Sequence, residues 1–174
     1  MNRRVDQKLH MAKLTLAAID SHSPEKNPAK ETALVESALF HLHIAYRAYL
    51  HELLLHCKVS TAEKASSAEQ VARAKTMSME AETAQQAANV LEAQQLTSCD
   101  VDELVKLERS GGWPAKLQAA YIGAANHEIA AEAVTNAGIG LRDITARMNG
   151  EVLTEWLQQF QILLCRQREH AQEW

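Results

Sequence analysis

Turn-forming residues are scarce in this chain: six glycines and three prolines serve all 174 residues. A many-stranded β fold needs more chain reversals than that, so the shortage points to helices. Cysteine is sparse too. Cys57, Cys99 and Cys165 are odd in number, far apart and never spaced CxxC. That excludes a disulfide framework and fits the reduced thiols of a cytoplasmic protein. There is no excess of positive charge, since 18 Lys and Arg face 22 Asp and Glu for a net −4. Without a broad basic field, non-specific nucleic-acid binding is disfavoured. No run approaches the ~20 uninterrupted apolar residues of a membrane helix. The opening MNRRVDQKLHMAKL has no apolar core of a signal peptide. A cytoplasmic location away from the membrane is expected.

What the chain does have is Ala, Leu, Gln and Glu in quantity, with 47% hydrophobic and 23% charged residues. These are ordinary values for a globular protein. Its length suits one domain, 1–174, that buries roughly 70% of the unfolded chain's surface without staple or metal.

Apolar residues at steps of three and four mark the elements. Val5, Leu9, Ala12, Leu16 and Ile19 form a stripe on a first helix, which SHSPEKNP at 21–28 ends. A second helix is expected from about Ala29 to Cys57. STAE at 60–63 has the form of a capping box. It opens an Ala/Gln/Glu-rich segment, 60–97, with high helix propensity and few large apolar residues. Asp100 with Glu103 suggests the cap of a short helix that Gly111 and Gly112 stop. Pro114 restarts the chain in a first turn, where its missing N–H costs nothing. Leu117, Tyr121, Ala124 and Glu128 follow at helical spacing. Asn136, Gly138 and Gly140 mark a loop and Asn149-Gly150 a second break. Val152, Trp156, Phe160 and Leu163 line a last helix. The pattern predicts an all-α, up-and-down bundle of five or six helices.

The second helix contains ALFHLHIAYRAYLHELLLH, residues 38–56, with four of the chain's eight histidines. At 100° per residue, Val35, Leu39, Leu42, Tyr46, Tyr49 and Leu53 make a core stripe. Phe40, Ile44 and Leu55 lie nearly opposite. Large apolar residues on two sides suit a helix that is either central in the bundle or covers a second partner; with only a handful of helices available, these three are interface candidates and a homo-oligomer is expected.

His43, Arg47 and His51 follow at i, i+4 and i+8 and form a ladder. His41 and His56 fall elsewhere. The chain has no Glu-x-x-His or His-x-x-x-His pair, and a permanent cation between two imidazoles repels another, so no metal site is expected. The same charge pattern suits an anion, with Arg47 as forked donor and the imidazoles as donors or proton carriers. An Arg and a His on one bundle helix resembles the HEPN ribonucleases. Their pattern puts four to six residues between the two, however, and Arg47 and His51 have three. Half-buried His and Tyr on a helix more often pack a ring and bond a polar atom. Packing is therefore the preferred reading, with no catalytic residue and no cofactor. An anion-binding or phosphoesterase-like enzyme built on His43, Arg47 and His51 is the alternative.

Four segments, in order, carry a resemblance: NRRVDQKLHMAKL, ALFHLHIAYRAYLHEL, DELVKLERSGGWPAKLQAAY, and EVLTEWLQQF with the closing EW. The chain resembles an uncharacterised family of small gammaproteobacterial, pseudomonad-type proteins, a domain of unknown function. The resemblance implies a cytoplasmic, all-helical bacterial protein and supplies no activity or catalytic residue. The expected role is a non-catalytic interaction or scaffold protein, with a further protein partner unidentified.

Overall fold

The computed structural model describes residues 3–20, 28–62, 81–133 and 149–172, with side chains over 4–19, 29–57, 81–124 and 149–169. Its helices are α1 (Arg3–Asp20), α2 (Pro28–Ala62), α3 (Ala84–Ala93), α4 (Cys99–Arg109), α5 (Trp113–Ala133) and α6 (Gly150–Gln172). The fold is an all-α bundle, and the described residues include no strand.

The 35-residue α2 is the axis of the bundle. It is about 50 Å long at 1.5 Å per residue, and the other helices lean against it. Its expected stripe of Val35, Leu39, Leu42, Tyr46, Tyr49 and Leu53 is buried throughout. The stripe Val5, Leu9, Ala12 and Leu16 on α1 is buried as well, with Ile19 half-buried at its end. α6 lies antiparallel to α1. Gly150 sits beside Ile19 at one end, and Arg168 donates to Asp6 at 2.8 Å at the other. At the centre the indole of Trp113 stacks on Phe160, with centroids 4.9 Å apart, and Tyr46 meets both rings edge-on. Large side chains buried this fully contribute roughly 1.5–3 kcal/mol each.

Several boundaries differ from the sequence expectation. α2 continues through Ala62, so Ser60 lies within a helix and does not cap a new one. The capping box in this region is at Thr83, whose Oγ1 accepts from the Gln86 amide at 3.0 Å. The short helix is capped by Ser98 instead of Asp100, the Val101 amide donating to Ser98 Oγ at 3.4 Å. Ser and Asp are near-equal caps, and both precede an acidic first turn here. Within the Ala/Gln-rich segment, residues 63–80 lie outside the described residues, as does the expected loop at Asn136, Gly138 and Gly140. The described part, α3, packs through Ala84, Ala87 and Leu91.

The α4–α5 corner follows expectation. Gly111 has φ +70, a conformation glycine adopts without penalty. A Cβ on Gly112 would stand 2.8 Å from the Leu107 carbonyl oxygen. α5 then opens with Trp113 and Pro114, as the missing proline N–H allows. α6 opens on Asn149, whose Oδ1 accepts from the Val152 amide at 3.0 Å.

Candidate functional site

The four histidines of α2 separate in the structure. His43 is 3% exposed, and its ring lies flat on Tyr121 of α5, centroids 3.7 Å apart and planes 6° from parallel. Its Nδ1 is buried with no hydrogen-bond partner among the described residues. Burial, followed by the nearby Arg47 charge, lowers its pKa to about 4, against a smaller opposing pull from Glu82. His43 is therefore a neutral ring at pH 7. Arg47, one turn on, is ion-paired with Glu82, Nη2 to Oε1 3.2 Å, in the segment that leads into α3. His51 is half-buried, His41 is half-buried and His56 is exposed. Burial and then the charge of Lys8 on α1 lower the pKa of His41.

Two of the ladder's neighbours were not legible from α2 alone. Tyr121 reads in the sequence as a core aromatic, and its stacking role needs the α2–α5 register. Glu82 lies in the Ala/Gln/Glu-rich stretch, where one acidic residue looks like the next.

The three interface candidates differ in exposure. Phe40 is 45% exposed, while Ile44 and Leu55 are half-buried. Phe40 keeps its edge toward His41 and lies 6.5 Å from the Tyr121 ring. His43 faces Tyr121 while Tyr46 faces Trp113, so α5 runs antiparallel to α2. That register brings Ile122, 50% exposed, to the height of Phe40. Phe40, Ile44 and Tyr121 thus lie on the α2–α5 flank of the bundle.

Two polar clusters tie helices together away from this flank. Glu108 of α4 accepts from the Tyr46 hydroxyl at 2.8 Å and from the amides of Ala84 at 2.9 Å and Gln85 at 3.3 Å. It is a carboxylate cap lent to α3 by another helix. Burial, then the Glu108 charge, raises the Tyr46 pKa, so its proton stays in place to donate. Glu103, also on α4, receives Arg166 and Gln167 of α6. Tyr49 is buried nearby, and burial, then the charge of Asp100, raises its pKa. Among the described residues no three His, Cys, Asp or Glu side chains converge as metal ligands would, and no helix is long and apolar enough to cross a membrane.

A family model described as a family of unknown function (DUF6586) matches residues 1–174. No curated protein and no solved structure matches the chain.

Proposed function

Because the chain belongs to that family, which brings no activity with it, we propose that it is a non-catalytic helical interaction or scaffold protein. In this reading it assembles with copies of itself through the α2–α5 flank and works in the bacterial cytoplasm. The observation that carries the reading is Phe40. A large aromatic side chain stands 45% exposed one helical turn before the half-buried Ile44 and 6.5 Å from the ring of the half-buried Tyr121. Single exposed apolar residues are commonplace, but several gathered on one flank suit a protein–protein contact. Among the described residues Cys57, Cys99 and Cys165 form no disulfide, which is compatible with a reducing compartment.

The second reading, anion binding by His43, Arg47 and His51, is the weaker. Arg47 already holds Glu82, and His43 resists protonation. It would require an anion to displace that carboxylate.

Sedimentation velocity over a range of concentrations tests the first reading. The natural chain is expected to self-associate, and Phe40→Glu to shift it to monomer with unchanged helicity. A natural chain that stays monomeric, or assembly indifferent to Phe40→Glu, would overturn it.

A further inference from the structure

We infer that α2 pairs with α2 of a second copy, antiparallel, about a two-fold axis beside position 42. The inference rests on the self-association proposed above and supplies its geometry. At 100° per residue, Glu36, Phe40, Ile44 and Arg47 fall within about 80° of one another. This strip leans away from the buried side of the helix. Glu36 and Phe40 are exposed, and Ile44 and Arg47 are half-buried.

Along the chain the strip runs acid, apolar, apolar, base. Reversing its direction about position 42 sets Phe40 against Ile44 of the second copy, and Ile44 against Phe40. Glu36 falls opposite position 48, one step from Arg47 and within reach of its long side chain. Two identical apolar contacts are then flanked by two identical ion pairs. That is the self-complementarity a two-fold contact demands, since residue i must meet j while j meets i.

A parallel pairing would instead bring Glu36 onto Glu36 and Arg47 onto Arg47. Charge therefore selects the antiparallel arrangement. Arg47 is already ion-paired with Glu82, 3.2 Å from one nitrogen. Its guanidinium has five N–H donors, which leaves room for a second carboxylate. Tyr121, on the neighbouring α5 and 6.5 Å from the Phe40 ring, widens the apolar centre.

Charge reversal on the full chain tests this by sedimentation velocity. Glu36→Arg and Arg47→Glu should each weaken association by at least about tenfold, because each sets like charges together twice. The chain carrying both restores opposite charges in every pair, and should return to within about threefold of the natural affinity. Arg47→Glu also faces Glu82, so a second measurement stands apart from charge. A chain with Phe40→Cys and Ile44→Cys, its natural cysteines changed to serine, should cross-link between copies on mild oxidation, since paired cysteines need Cα atoms within about 7 Å. Failure of both the charge rescue and the cross-link overturns the antiparallel pairing. If Phe40→Glu still dissolves the assembly, the flank survives as an interaction surface in another geometry. If it does not, the interaction reading falls as well.

Discussion

At the scale of single residues, His43 shows what burial does to a titratable ring. The sequence put it in a histidine-rich stretch with Arg47, where a charged imidazole looks natural. Inside the bundle, the flat contact with Tyr121 and the adjacent guanidinium favour the neutral form. The folded pKa is near 4 and the unfolded value is 6.5, so the unfolded chain binds more protons between those limits. The contribution of this site is complete above pH 6.5, falls as pH drops, and levels off near 4. By about pH 4.5 the loss amounts to about 2–3 kcal/mol. Urea unfolding of the natural chain and of His43→Phe, near neutral pH and near pH 4.5, isolates it from the carboxylates. The variant should lose about 2–3 kcal/mol less on acidification; identical losses would show that His43 titrates as in the unfolded chain. The sequence placed His43 correctly beside Arg47, but not under Tyr121, because a face-to-face contact between two helices depends on their register.

At the scale of elements, α3 is the helix least able to hold itself in place. It has ten residues, and small alanines make most of its buried face. Isolated helices of that length are marginal in water. Two caps compensate: the Thr83–Gln86 box from its own sequence, and Glu108 from α4. The box is the kind of signal a sequence shows, a Thr followed three residues later by a Gln. The tertiary cap is not, because nothing local ties Glu108 to residues 24 positions earlier. Removing the carboxylate in Glu108→Ala strands the Tyr46 hydroxyl and two helix amides together. The cost should be about 2–3 kcal/mol, with faster hydrogen exchange at Ala84 and Gln85. Tyr46→Phe alone should cost about 1 kcal/mol. The double variant should cost less than the sum, because both act on one cluster. Full additivity in denaturation would separate the two contacts.

The α4–α5 corner is the opposite case, legible from Gly111 and Gly112 because the turn itself demands glycine. Gly112→Ala pushes a Cβ against the Leu107 carbonyl oxygen, where neither side is a flexible side chain that could yield. It should destabilise by about 1–3 kcal/mol in the same denaturation assay. A neutral result would mean that the corner shifts freely.

At the scale of the whole molecule, the fold class was legible because helical periodicity and a shortage of turn residues act along the entire chain. The core stripes of α1, α2 and α6 followed from spacing alone. What spacing leaves open is which surfaces stay outside when the helices gather. Phe40 and Ile44 are both large apolar residues on the face of α2 opposite its core stripe, yet the first is 45% exposed and the second half-buried. Only the positions of α1 and α5 around α2 decide between them. The same arrangement determines how a two-fold contact on this flank should respond to salt. Its Glu36–Arg47 pairs would sit at the rim of an apolar centre, where exposed ion pairs are worth about 0.2–1 kcal/mol each and are screened by ions. The apolar contact of Phe40 and Ile44 is insensitive to that screening. Raising salt from about 0.05 to about 0.5 M should therefore weaken association by no more than about tenfold, measured by sedimentation velocity. Loss of assembly across that range would mean that charge, and not the Phe40 flank, holds the copies together.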